Sequence, residues 1–219
     1  TIETIRRIVS TLLPYAVVGA CLLFAGSVDA QTSAVSIEIA RLIQQSHSNL
    51  TEHNYTEAIR AAQQGLDRSA RLNFKWGIVS NLLILGQAQK SLRYYPASLN
   101  SYLQALSEVE KQNDKLTLAW INVKIGELFQ EWGVPEKALP YYNAALQLQT
   151  RENTELIERL AETHLSLEQN ELALTMYLRL LDVLRKQQKA EQTMYVLDRV
   201  AFICHHSNDL AGSLKYNLE

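Results

Sequence analysis

Glycine and proline are scarce, at 8 and 4 in 219 residues. So few turn-forming residues exclude a sandwich or barrel built on tight hairpins. Two cysteines, Cys21 and Cys204, are too few for a disulfide framework. Cys21 lies in an apolar run, which leaves Cys204 as a small core residue of the body, the usual place of a free cysteine. A charge excess is missing as well. The 21 basic and 23 acidic residues give a net charge of −2, with no basic footprint for nucleic acid. At 47% hydrophobic and 20% charged residues, the chain is neither a disordered polyampholyte, a collagen-like fibre nor a polytopic membrane protein. There is no phosphate loop, glycine-rich dinucleotide turn or nucleophile elbow. An initiator methionine is lacking too, which places the expected start upstream of Thr1.

The one long uncharged stretch is at the beginning. Arg6 and Arg7 precede Ile8 to Ser27, which carry no charge, and Val28-Asp29-Ala30 then lead into Gln31. A basic flank, an apolar run and a small-residue ending have the form of a secretory signal peptide cleaved before Gln31. The run is also long enough to span a bilayer core of about 30 Å as an uncleaved anchor. Val18-Gly19-Ala20-Cys21 is a loose lipobox, although apolar residues continue beyond its cysteine. All three readings export the rest of the chain. They divide it into a signal or anchor segment, 1–30, and a folded body, 31–219.

From Ile37 onward the apolar spacing is helical, and it repeats. Ile121, Ile125, Leu128 and Phe129 share one helix face, Gly133 stands where a left-handed cap ends a helix, and Pro135 opens the next. A second helix comes next with Ala138, Tyr142 and Ala145 on one stripe. Gly86 and Gly126, Ser98 and Ala138, and Ala105 and Ala145 are each 40 residues apart. Pro96 opens its second helix in the same way. Ala161 with Ala173 and Tyr177 continues the series after a shorter step of 35, and Ala201 with Ser213 comes 40 further on. Tyr55, Ala58, Ala62 and Gly65 form an earlier, more degenerate copy. Pro140 inside a second helix is expected to cost up to about 3 kcal/mol, less if it lies near the helix start. The chain stops just after a second helix begins, so it is expected to continue beyond Glu219 or to have this end completed by another chain.

These residues resemble the tetratricopeptide repeat, whose signature is a leucine–glycine pair, an aromatic, and then alanines spaced around a second aromatic. The resemblance implies an all-α fold, a right-handed α-solenoid of about five helical hairpins over Ile37–Glu219. The standard unit has about 34 residues, and the extra length here is expected in extended inter-repeat loops or second helices, with segments such as Glu110–Lys115 filling it. The long form is similar to repeats of bacterial envelope signalling proteins. The family's carboxylate clamp uses lysines, asparagines and an arginine, where this chain has mostly Ile43, His47, Ile84, Gln87 and Glu127, so a co-chaperone of that type is not expected.

No constellation for catalysis, cofactor or metal stands out. His205 and His206 point about 100° apart on a helix and do not chelate one ion. His164 is expected to be buried and satisfied. Glu127, Glu131, Glu155, Glu158 and Glu162 fall on solvated faces beside Lys124 and Arg159, without the water-poor cleft of an acid–base pair. Tyr94-Tyr95 and Tyr141-Tyr142 read as packing residues.

A non-catalytic interaction module remains. In a solenoid the first helices of the hairpins line a groove for an extended peptide or a partner helix. Helical projection puts Gln87 and Lys90, then Trp120, Lys124, Glu127 and Gln130, on that lining. Glu158, Arg159 and Glu162 come next, and then Tyr195, Arg199 and Phe202. Mixed charges there imply a protein partner of both signs and not a nucleic acid. The expected setting is periplasmic or anchored facing the periplasm, with membrane attachment only through the first segment or a missing later part. The role is a sensory ectodomain or scaffold, and the alternative is a soluble assembly factor for another exported protein.

Overall fold

The computed structural model describes residues 30–149 and 152–207, with Gly212 and Tyr216 beyond them. Residues 1–29 of the proposed signal segment, the marker Ser213 and the chain end lie outside the described residues. The helices are α1 (Ala30–Thr51), α2 (Tyr55–Arg71), α3 (Lys75–Ser91), α4 (Tyr95–Glu110), α5 (Lys115–Glu131), α6 (Ala138–Leu148), α7 (Thr154–Ser166), α8 (Asn170–Lys186) and α9 (Ala190–His206). No strand occurs among the described residues. The chain divides into two compact units within α4, at Glu108/Val109. Helix α1 starts seven residues ahead of Ile37, where the apolar periodicity first becomes legible. No helix of the described residues is long and apolar enough to cross a membrane.

Each hairpin rests on a small residue in its first helix. Ser46, Gly86, Gly126, Ala161 and Ala201 are all buried, separated by steps of 40, 40, 35 and 40 residues. In the second helices Ala58, Ser98, Ala138 and Ala173 keep the same register and are fully buried. The glycines admit a ring. A Cβ on Gly86 would lie 2.6 Å from the Tyr102 ring, and one on Gly126 would lie 2.4 Å from the Tyr142 ring. The Ser98 hydroxyl adds a 2.7 Å hydrogen bond to the Gly86 carbonyl, tying the two helices at that crossing.

Within the first unit α1 packs on both α2 and α3. Ile39, Ile43, Ala62, Ile84 and Leu85 close one core cluster, and Leu50, Ala58 and Ala88 another. Between α2 and α3 the crossing is polar. Asn81 lies over Gly65 and Ser69 over Gly77, each side chain also donating to a carbonyl of its own helix at 2.7 Å. In the second unit, α7, α8 and α9 share a core built on Tyr177, Leu180, Leu184, Val196, Val200 and Ile203. Cys204 belongs to that core, as its apolar neighbours implied.

The extra repeat length is not in the loops. Glu110 ends α4 and Asp114 already caps α5, accepting from the Leu116 and Thr117 amides at 3.1 and 3.2 Å. The expectation of an extended 110–115 loop is corrected. The length sits in helices of 16 or 17 residues from α2 to α5, joined by turns that are nearly identical within and between hairpins. Among the described residues, every turn but the α6–α7 connection has one left-handed residue: His53, Asn73, Arg93, Asn113 and Gly133 at intervals of 20, then Glu168 and Gln188. In all but the turn at Asn113, the amide after that residue reaches back five positions, as from Tyr94 to Gln89, at 2.7–3.1 Å. This is the bonding pattern of a Schellman cap. A period of 40 is therefore two half-periods of 20.

The shorter step of 35 has a local cause. The 3₁₀ turn at Pro135–Lys137 leaves the 12-residue spacing of Gly126 and Ala138 intact, and the shortening falls between Ala145 and Ala161, where α6 ends at Leu148 and α7 has only 13 residues. Pro140 is the third residue of α6, where its missing N–H has no intrahelical acceptor, so the expected cost does not arise.

Six of the seven left-handed residues carry side chains, which disfavours that conformation by about 1–2 kcal/mol each relative to the right-handed region. Gln188→Gly is expected to stabilise the fold by about 0.5–1 kcal/mol in urea denaturation. Gly133→Ala is expected to destabilise it by about 1 kcal/mol through backbone strain alone, because a Cβ there meets nothing within 4 Å.

Candidate partner-binding face

The first helices of the second unit, α5, α7 and α9, carry rows of equivalent residues. Stepping by 35 and then 40 gives Trp120–Glu155–Tyr195, Lys124–Arg159–Arg199 and Glu127–Glu162–Phe202. Ten of the twelve residues expected to line a groove lie on these helices. Gln87 and Lys90 are on α3 in the first unit, exposed and half-buried respectively.

Glu127 links two of the helices. Its carboxylate accepts from Lys124 Nζ at 2.9 Å and from Arg159 at 3.0 Å, and Arg159 also reaches Glu155 at 3.1 Å. The Glu127 side chain is only 13% exposed, which corrects its placement on a solvated face. Burial works against the Arg159 charge, but Glu127 and Glu155 outweigh it and hold the guanidinium above its ordinary value. Below this lies a second link. Tyr142 donates to Gln130 Oε1 at 2.9 Å, Gln130 donates to Thr163 Oγ1 at 2.6 Å, and Thr163 donates to the Arg159 carbonyl at 2.6 Å. Burial raises the Tyr142 phenol well above its ordinary value. Partly buried, multiply bonded ion pairs of this kind fix geometry better than isolated surface pairs.

Large apolar groups stand exposed along the face. Trp120 is 43% exposed, with the Lys124 ammonium 5.4 Å from its ring centroid. Tyr195 and Phe202 on α9 are 43% and 46% exposed. Arg199 lies 5.8 Å over the Tyr195 ring, and Tyr195 donates to Glu162 in a long 3.4 Å bond. Beneath them burial pushes the Tyr177 phenol up to about 12, against the opposing charge of Arg199. Glu158 is held above the ordinary carboxylate value by partial burial first and then by the like charges of Glu162 and Glu155.

Glu155, Tyr142 and Thr163 belong to this arrangement but are not among the expected groove residues. The step of 35 from Trp120 and Lys124 onto α7 is the signal that reaches Glu155 beside Arg159. Tyr94 is 59% exposed, which corrects its reading as a packing residue. Tyr141, by contrast, stacks on Phe129 at 5.6 Å. His164 is half-buried, not buried, and pairs with Gln169 at 2.7 Å. His206 bonds the Phe202 carbonyl at 2.9 Å. No three potential ligands converge for a metal among the described residues.

No family model matches the chain, and no curated protein does. Solved structures do match. A signal-transduction ATPase with numerous domains from Pyrococcus horikoshii, which has a tetratricopeptide repeat sensor, matches 93% of this chain at a TM-score of 0.72 and 14% identity. The chain has the tetratricopeptide-repeat fold. It spans about a third of that ATPase, 34% of its length. The apo form of RapI matches 98% of this chain, which covers 91% of RapI, at a TM-score of 0.65 and 14% identity. A Rap conjugation gene regulator of the plasmid pLS20, solved with a Phr peptide, matches 88% of this chain and is covered over 55% of its own length, at 0.54 and 16%. At such identities the likeness is one of tetratricopeptide-repeat fold.

Because Glu158 titrates higher in the fold than in the unfolded chain, its charged form opposes folding at neutral pH. Glu158→Gln is expected to raise the melting temperature at pH 7. The gain should vanish as pH falls below the ordinary carboxylate value of 4.5, where the parent residue is protonated in both states. Equal melting of the two proteins at pH 7 would contradict the assignment.

Proposed function

We propose that this chain is a non-catalytic interaction module that holds a peptide or partner helix against the first-helix face of its second unit. One observation carries the reading: Trp120, Tyr195 and Phe202 stand exposed on the equivalent face of two helices, on either side of an ion-pair network whose geometry is fixed from below. Folding alone does not call for large aromatics in water at such positions, whereas aromatic anchors dominate interface energetics. The tetratricopeptide-repeat fold and the Phr peptide bound to one structural neighbour support it. The uncharged run from Ile8 to Ser27 supports an exported setting, as a sensory or scaffolding part of an envelope assembly.

Reversal of Arg159 is a poor probe, since it would set a carboxylate against Glu127 and Glu155 and disturb the fold. A photo-crosslinking residue at Trp120 or Phe202, introduced in native cells, is the direct test. Both positions are expected to give the same discrete protein adduct, and position Leu172 on the exposed side of α8 should give none. Adducts at Leu172 alone would place the interaction on the second helices and overturn the assignment.

A further inference from the structure

The charges of this face are not balanced, and what is left over selects a partner. Lys124 and Arg159 are closed onto Glu127 and Glu155 at 2.9–3.1 Å, so neither offers a free cation to an incoming chain. Arg199 is half-buried between the Tyr195 ring and the Tyr177 hydroxyl, where its charge opposes the rise of that phenol. Among the described residues, Glu158 and Glu162 form no ion pair, and Glu162 has only the long bond from Tyr195. Both project from α7, the central helix, with Trp120 on α5 to one side and Tyr195 and Phe202 on α9 to the other.

From this pattern we infer that the face takes a partner segment in which arginine or lysine alternates with large apolar side chains. The inference rests on the proposed interaction role and adds the chemistry of the occupant. An arginine of the partner would pair with Glu158 and Glu162 while its planar head stacks on the face of a neighbouring aromatic ring, and its apolar neighbours would cover Trp120 and Phe202. An acidic segment would bring like charge onto two carboxylates outside any ion pair. Among the described residues, the one cation of this face outside an ion pair, Arg199, is half-buried against the Tyr195 ring and faces those same carboxylates. Burial first, and then the like charges of Glu162 and Glu155, hold the Glu158 carboxyl high, and an incoming cation offsets the second of these.

A random-peptide display library panned on the full chain tests this without knowledge of the natural partner. The pool selected on the parent is expected to be enriched in arginine and lysine over the starting library. Its best peptide should bind the Glu158→Gln/Glu162→Gln variant about tenfold more weakly and lose affinity in high salt. A selected pool no richer in cations than the library, or one that binds that variant as well as the parent, overturns the inference. If such a pool still loses binding on Trp120→Ala/Phe202→Ala, the interaction role stands and only the charge preference falls. If no pool rises above the bare support, or the selected pool ignores all four substitutions, both fall.

Discussion

A tyrosine ring lying on a bare patch of helix backbone sets the geometry of the middle hairpins. At Gly86 and Gly126 the first helix presents no side chain, and the rings of Tyr102 and Tyr142 occupy the space a Cβ would take. The crossing is close because one partner is as small as possible and the other fills the gap, which is how a dense interior avoids both void and strain. Where the first helix has Ser46 in place of glycine, the equivalent second-helix residue is the small Ala62. Size is exchanged across that pair, whereas Ala161 keeps a buried tyrosine, Tyr177, at the equivalent position.

That seat also positions chemistry. Tyr142 is fixed by Gly126 at one end, and at the other its hydroxyl bonds Gln130, which continues to Thr163 on α7. The outer layer of Lys124, Glu127 and Arg159 lies over this inner chain, so the face of α5 and α7 is held from the core outward. A site built this way presents its exposed aromatics with little freedom left to lose on binding.

Much of this is legible in the sequence because glycine, alanine and tyrosine recur at fixed steps, and only a solenoid needs the same small residue at the same place. The hairpins and the Gly133 cap can be read from those steps, and the burial of Cys204 from its apolar neighbours. Other features are hidden for physical reasons. Six left-handed turns use His, Asn, Arg, Glu or Gln, so the punctuation at every 20 residues is invisible to a search for glycine. Ser46 does not stand out because its role is defined by register and not by residue type. The ion pairs of Glu127 depend on how two helices approach, which spacing along one helix does not report.

A double-mutant cycle on Gly126 and Tyr142 tests the central claim most directly. Gly126→Ala should cost about 3 kcal/mol in urea denaturation of the parent, because the new methyl meets a buried ring tethered by its hydroxyl. In a Tyr142→Ala background the same substitution should cost nothing, or gain about 0.5–1 kcal/mol from alanine's better helix propensity. The two positions would then couple by about 3–4 kcal/mol. An equal cost for Gly126→Ala in both backgrounds would show that the glycine serves something other than the tyrosine ring, and the account of the hairpin would be wrong.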